Sequence, residues 1–188
     1  MHVSQTYLVS LPLVKWCGGS VNRLFTGGTG NCIHAWDVQA MKEVGVVDGN
    51  NPAKKDQEFK HTDTILTLLP IPELGLLASA GRDQKICLWR MDNLQPKPPL
   101  IGHSRSITSL DWIPDHNMIL SAGIDHDVFV WNPHVQQRVF VLKGHNQPLV
   151  GVKWMEGTNQ IISADVSGMF RVWDVRTSTC VQSFNCPL

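Results

Sequence analysis

Apolar and polar residues alternate along most of this chain in short runs, and each run is closed by turn-forming residues. Between residues 107 and 142, ITSLDW, MILSA, VFVW and RVFVL are separated by PDHN, GIDH and NPHV. A side-chain period of two puts one set of residues on one face of a strand. The pattern therefore predicts an antiparallel meander of four short strands, and no stretch holds a helical period. Expected strands fall near 8–16, 22–27, 31–37 and 40–47, then 64–70, 75–80, 85–90 and 98–101. They continue near 106–113, 118–122, 127–132 and 137–142, then 148–154, 159–163, 168–174 and 179–184.

The meander repeats. FKHTDTILTL, IGHSRSITSLDW and KGHNQPLVGVKW carry His61, His103 and His145, each 42 residues from the next. Downstream, KICLWR, DVFVWN and MFRVWD carry Trp89, Trp131 and Trp173 at the same spacing, 28 residues after each histidine. A degraded copy precedes them: GNCIHAWD places Trp36 and Asp37 in phase, and aligning Trp16 with Trp112 and Trp154 puts Tyr7 at the histidine position. The units run about 7–47, 59–101, 102–142 and 144–184, within one domain spanning 1–188, with DGNNPAKKDQE at 48–58 as a polar inserted loop.

Trp, Ser, His and Asp recur in register, and the physical reason is the indole N–H. A tryptophan buried between packed sheets needs an acceptor for that group. A serine hydroxyl supplies one, a histidine joins serine to aspartate, and the buried chain holds only when every member is satisfied. The second copy has His61, Ser79, Asp83 and Trp89, and the third His103, Ser121, Asp125 and Trp131. The fourth has His145, Ser163 and Trp173, with Ser167 where aspartate is expected and Asp165 two residues early. The first keeps Thr26 and Trp36 but has Tyr7 and Gly30 at the other positions. The end units are therefore expected to be less firmly braced.

These residues, with Gly102-His103, Gly144-His145 and Trp173-Asp174, resemble the WD-repeat family. The resemblance implies an all-β fold, a β-propeller in which each copy is one four-stranded antiparallel blade. Four copies are fewer than such a ring usually has, and Pro187 stands where the next histidine would fall. The expectation is an open arc that self-associates or is completed by further blades.

Lys+Arg and Asp+Glu both number 16. That balance gives no electrostatic reason to expect nucleic acid or an anionic membrane as partner. Five cysteines without a CxxC pair argue against a disulfide framework and fit a reducing compartment. The expected location is cytoplasmic, with the nucleus as an alternative; IISADVSGMFRVWDVRT also resembles WD-repeat proteins of cilia and flagella. No cofactor is expected, and no histidine or cysteine pair has metal-ligand spacing.

The resemblance implies a non-enzymatic scaffold that binds protein or peptide partners around the channel. Carried over by position, the binding face is Thr64, Leu66 and Arg82, then Ser106, Thr108 and Ile124, then Pro148, Val150 and Val166, with Ser10, Pro12 and Thr29 in the degraded copy. Arg82 is the single charge among them, which suits a largely apolar peptide carrying one acidic group. Two alternatives stand beside this reading. Trp173, Asp174 and Arg176 form a W-D-x-R sequence resembling the one by which some WD-repeat proteins dock on a ubiquitin-ligase adaptor. Ser, His and Asp together also match the parts of a serine hydrolase, although no GxSxG elbow is present.

Overall fold

The computed structural model describes residues 13–17, 22–48 and 59–186. Among them are sixteen strands: β1 (Leu13–Cys17), β2 (Arg23–Gly27), β3 (Cys32–Asp37), β4 (Lys42–Asp48), β5 (Ile65–Ile71), β6 (Leu76–Gly81), β7 (Lys85–Arg90) and β8 (Pro96–Ile101). They continue as β9 (Ile107–Ile113), β10 (Met118–Gly123), β11 (Val128–Asn132), β12 (Gln137–Leu142), β13 (Leu149–Met155), β14 (Gln160–Asp165), β15 (Met169–Asp174) and β16 (Thr179–Asn185). They form four antiparallel meanders, each in sequence order from first strand to fourth. The predicted strands lie within a few residues of these, except that the predicted start of the first, at residue 8, lies outside the described residues. Asp48 closes β4 rather than opening the inserted loop, and single 3-10 turns, Pro72–Leu74 and Pro114–His116, join the first two strands of the middle sheets. Tyr7, Ser10, Pro12, Pro187 and residues 49–58 lie outside the described residues.

Each sheet has an apolar face toward the next sheet and a tryptophan-bearing face toward the previous one. In the third sheet the forward face is Ile113, Leu120, Ala122, Val128, Val130 and Leu142, packed on Leu149, Val152, Trp154, Ile161 and Trp173 of the fourth. Forty-two residues earlier the same positions are Ile71, Ala78, Ala80, Ile86, Leu88 and Leu100, packed on Trp112 and Trp131. In the first sheet Cys17, Phe25, Ile33, Ala35 and Val47 pack on Leu77 and Trp89. Three seams therefore join four sheets, and among the described residues no core cluster joins the fourth sheet to the first. The sheets form an open series, as the repeat count led one to expect.

Polar contacts also pin the seams. Asp111 of β9 accepts the Trp154 N–H at 2.6 Å and the Lys153 ammonium at 2.8 Å. Thr108 donates to the Leu149 carbonyl at 2.8 Å. Arg23 donates to the Met91 carbonyl and, at 2.7 Å, to that of Asp92, which ties the first sheet to the second. Buried Lys60 reaches the Asp48 carbonyl at 2.8 Å across the same seam.

The turns repeat as strictly as the core. Asn22, Gly75, Asn117 and Asn159 sit between first and second strands, Asn31, Gln84, His126 and Gly168 between second and third, and Met41, Leu94, Gln136 and Ser178 between third and fourth, all with positive φ. The backbone path is thus the same in every sheet whether or not the residue favours it. The left-handed region costs an ordinary side chain roughly 1–2 kcal/mol. Met41, at φ 49 and 88% exposed, has no packing to offset that cost. Met41→Gly should therefore raise stability by about 0.5–1 kcal/mol. Denaturant unfolding checks it, and a lower midpoint would contradict the assigned turn.

Candidate functional site

The repeated polar residues meet inside the seams. His61 Nδ1 lies 2.8 Å from Asp83 Oδ2 and its Nε2 lies 2.7 Å from Ser79 Oγ, to which Trp89 Nε1 donates at 2.8 Å. His103, Asp125, Ser121 and Trp131 repeat this at 2.8, 2.7 and 2.8 Å. Each serine oxygen accepts the indole proton and bonds imidazole Nε2, while Nδ1 bonds the carboxylate. Ser79 Oγ also lies 3.4 Å from the Cys87 carbonyl, and Asp125 Oδ1 is buried without a hydrogen-bond partner.

The fourth sheet corrects the sequence reading. His145 Nδ1 bonds Asp165 Oδ2 at 2.7 Å, and Ser163 Oγ joins His145 Nε2 and Trp173 Nε1, both at 2.8 Å. The brace is complete, with its carboxylate two residues early. Asp165 replaces the glycine that ends the second strand in the preceding sheets, Gly81 and Gly123. A Cβ on Gly123 would point at Asp125 Oδ1, 2.8 Å away, and His103 Nδ1, 3.1 Å away. That backbone position aims into the carboxylate site, so an aspartate placed there fills it directly. Ser167, at the vacated position, donates its hydroxyl to Asp165 Oδ1 at 2.5 Å, and the Ser167 N–H follows at 2.9 Å. The expectation of a weaker fourth unit does not hold.

The first sheet keeps half the arrangement. Trp36 Nε1 donates to Thr26 Oγ1 at 3.1 Å, with Trp36 36% exposed. Gly30 offers no carboxylate, and His34 on the same strand bonds Glu43 at 2.5 Å.

The electrostatics follow the burial. Burial opposes ionisation of Asp83, but the hydrogen bond and field of His61, with the Thr62 and Lys85 N–H groups, outweigh it and hold the carboxyl below its ordinary 3.8. Asp125 and Asp165 are lowered in the same way, by His103 and by Ser167 with His145. Burial holds His145 below its ordinary 6.5 against the pull of Asp165. Ser–His–Asp connectivity matches a hydrolytic triad, yet Ser79, Ser121 and Ser163 are at most 1% exposed and each oxygen already accepts an indole proton. No acyl group can approach that oxygen, so the arrangement braces the seams and offers no nucleophile.

The predicted binding face gathers at one end of the sheets. Arg82 N–H donates to the Thr64 carbonyl at 2.9 Å, Ile124 to Ser106 at 2.9 Å and Val166 to Pro148 at 3.0 Å. Each pair is thereby held directly over a brace. The third member in each sheet is a bulge residue: the pairing skips Leu66 between Ile65 and Thr67, Thr108 between Ile107 and Ser109, and Val150 between Leu149 and Gly151. A bulge re-aims a side chain, and Val150, Val166 and Arg82 are exposed. Thr29 is exposed beside the first sheet's turn. Thr108 is partly spent on its bond to Leu149.

The adaptor-like residues are mostly committed to structure. Trp173 is 2% exposed inside its brace. Asp174 accepts the Arg176 N–H at 2.8 Å and the Thr177 N–H at 3.3 Å, as Asp37 and Asn132 accept from their own following turns. Only Arg176 of the three is exposed.

Repeated four-stranded sheets, stacked face to face and locked by buried His–Ser–Asp–Trp chains, define a propeller-type repeat protein. The chain belongs to the WD40 family: the model described as WD domain, G-beta repeat matches residues 54–90, 95–132 and 136–174. No curated protein sequence matches it. Solved structures with the same fold include U3-55K, at a TM-score of 0.75 and 21% identity over 87% of this chain and 48% of that one. The WD40 repeats of RRP9 match at 0.75 and 20%, over 88% of this chain and 47% of that one. This chain spans about half the length of each.

Two predictions follow from the braces. Asp165→Ala should cost about 1–3 kcal/mol, as much as Asp125→Ala, because each leaves a buried imidazole N–H unpaired. The paired change Gly123→Asp with Asp125→Ser should recover part of the Asp125→Ala loss, the rest being spent on moving the Ser106 carbonyl, 2.8 Å from a Cβ at position 123; chemical unfolding of the three variants checks this, and no recovery would contradict the shared site. Acidification should also destabilise the chain. Carboxyls held below 3.8 contribute stability that is lost as pH falls through the acid range, and His145, held below 6.5, adds a loss beginning below that value. Thermal unfolding between neutral and acid pH reads it, and a melting temperature that rose on acidification would refute the assignment.

Proposed function

We propose that this chain is a non-enzymatic scaffold that holds a protein or peptide partner against the turn face over its braces. The observation that carries the reading is the set of three backbone bonds joining Thr64 to Arg82, Ser106 to Ile124 and Pro148 to Val166. They hold the same positions of three sheets in the same pose, above side chains locked by buried hydrogen bonds. A rigid, repeated platform lowers the ordering cost of binding. The platform is mostly apolar or small, and Arg82 supplies one cation able to hold a carboxylate bidentately. The ligand class is therefore an apolar peptide with a single acidic residue. Five cysteines, with no disulfide among the described residues, accord with a reducing setting such as the cytoplasm.

Panning a random peptide library against the folded chain tests this. Enriched peptides should carry an acidic residue beside apolar ones, and Arg82→Glu should weaken them on the order of tenfold, about 1.4 kcal/mol, with unfolding unchanged. Arg176→Ala should have no effect. Binders indifferent to Arg82→Glu, or lost with Arg176→Ala, would overturn the assignment of this face.

A further inference from the structure

The first seam differs from the other two around Lys60. Glycine precedes the brace histidine at Gly102 and Gly144, where a Cβ would meet the Trp131 ring at 3.0 Å and the Trp173 ring at 3.3 Å. Lys60 holds that position before His61; it is 6% exposed, with its ammonium 2.8 Å from the Asp48 carbonyl. The first sheet makes room for it. Gly45 pairs with Ala35 where Phe140 pairs with Val130, and Phe140 packs into the third seam. Leu94 takes part of the vacated space, its Cδ1 3.1 Å from an ideal Cβ at Gly45. A groove of about 250 Å³ remains between β4 and the turn that opens β8. Lys60 and Asn93 line it together with the apolar Val47, Trp89, Leu94 and Pro96.

We infer that this groove takes the C-terminal residue of a partner polypeptide, Lys60 holding its carboxylate and the apolar walls its side chain. An ammonium has three protons to donate, and Lys60 spends one of them on a neutral carbonyl. Among the described residues no ion pair joins it to a carboxylate. The Asp48 carboxylate turns to the Cys32 thiol, 3.5 Å away. A charge withdrawn from water is costly until an opposite charge meets it. One cation matches one monoanion, which favours a carboxylate over a phosphate dianion. Asn93 adds a second donor: its carbonyl oxygen accepts the Gln95 N–H at 3.0 Å, which leaves its amino group for the ligand. The volume falls below the roughly 300–1,000 Å³ of sites for drug-sized ligands and suits one apolar residue. A chain end carries a carboxylate and a side chain on the same carbon, matching a cation set beside apolar walls. Asn93 and Gln95 are exposed, so the rest of the peptide leaves toward solvent past them. The groove shares no residue with the turn face that holds Arg82.

Fluorescence polarisation with the 188-residue chain and a fluorescein-labelled glycine–serine peptide ending in leucine tests the inference. The peptide with a free carboxylate should bind saturably, and the same peptide with an amidated end should bind more weakly, on the order of tenfold or more. Lys60→Gly supplies the residue that the next two copies carry, so the seam should still form while affinity falls by a similar factor. Lys60→Met keeps the apolar stem without the charge and should lose as much, which separates the cation from the packing. An amidated peptide with an internal aspartate should not compete. Arg82→Glu should leave this binding unchanged, so the turn face and the groove can each fail without the other. No saturable binding by the wild-type chain, equal binding of the amidated peptide, or full binding by a folded Lys60→Met would overturn the proposal. Competition by the internal aspartate would overturn the choice of a chain end. Asp56 and Glu58 lie outside the described residues. Binding that emerged only when Asp56→Asn and Glu58→Gln were combined would also contradict the proposal, because the chain's own carboxylate would then hold the groove.

Discussion

Burying a tryptophan between two sheets costs less when its indole N–H keeps a partner, and three seams of this structure are organised around meeting that demand, although Trp112 is buried in the second seam with its own Nε1 unpaired. Three times the chain meets it in the same way, with a serine oxygen that accepts from the indole and is hydrogen-bonded to a histidine. The histidine in turn reaches a carboxylate, which stands in the tight turn between second and third strands for Asp83 and Asp125 and at the end of the second strand for Asp165. One chain of hydrogen bonds thus ties the loop before the first strand to the second strand, the turn and the third strand. Packing area comes from the apolar rows on either side, while the polar chain sets which way each row faces. Because each brace lies on the face toward the preceding sheet, the first sheet's half-formed version is the one left open to solvent.

The fold was legible because its signals are periodic. Histidine and tryptophan at a constant spacing, alternating strands and turn formers located fifteen strands to within a few residues, and the end of the first as well, its predicted start lying outside the described residues. Asp165 was misjudged because alignment by sequence position assumes that a side chain acts from the place its counterpart occupies. The carboxylate site can be reached from two backbone positions, and only the Cβ direction at Gly123 reveals the second. The bulges at Leu66, Thr108 and Val150 are invisible to a period-of-two reading, since an extra residue in a short strand resembles uncertainty about its end. The Asp111 clamp lies at the repeat position that Lys153 holds in the next copy, a link that emerges from comparing charges at equal positions across copies.

The same architecture explains why catalytic-looking residues and functional residues separate here. Ser, His and Asp are consumed inside the seams, where they bond one another and the indole. What remains for recognition is the rim above them, whose residues contribute mainly backbone bonds and exposed small or apolar side chains. A fold of this kind supports many partners, so on the proposed reading specificity rests on a few positions such as Arg82, Val150 and Val166 rather than on the repeated core.

The central claim is that Trp89, Trp131 and Trp173 are locked by buried hydrogen bonds between sheets, whereas Trp36 is not. Hydrogen exchange of the indole Nε1 protons, followed by NMR, measures this directly. The account predicts that those three protons exchange slowly and together, at rates set by opening of the seams, and that the Trp36 proton exchanges far faster. Indole protons of Trp89, Trp131 and Trp173 that exchanged as fast as that of Trp36 would contradict it.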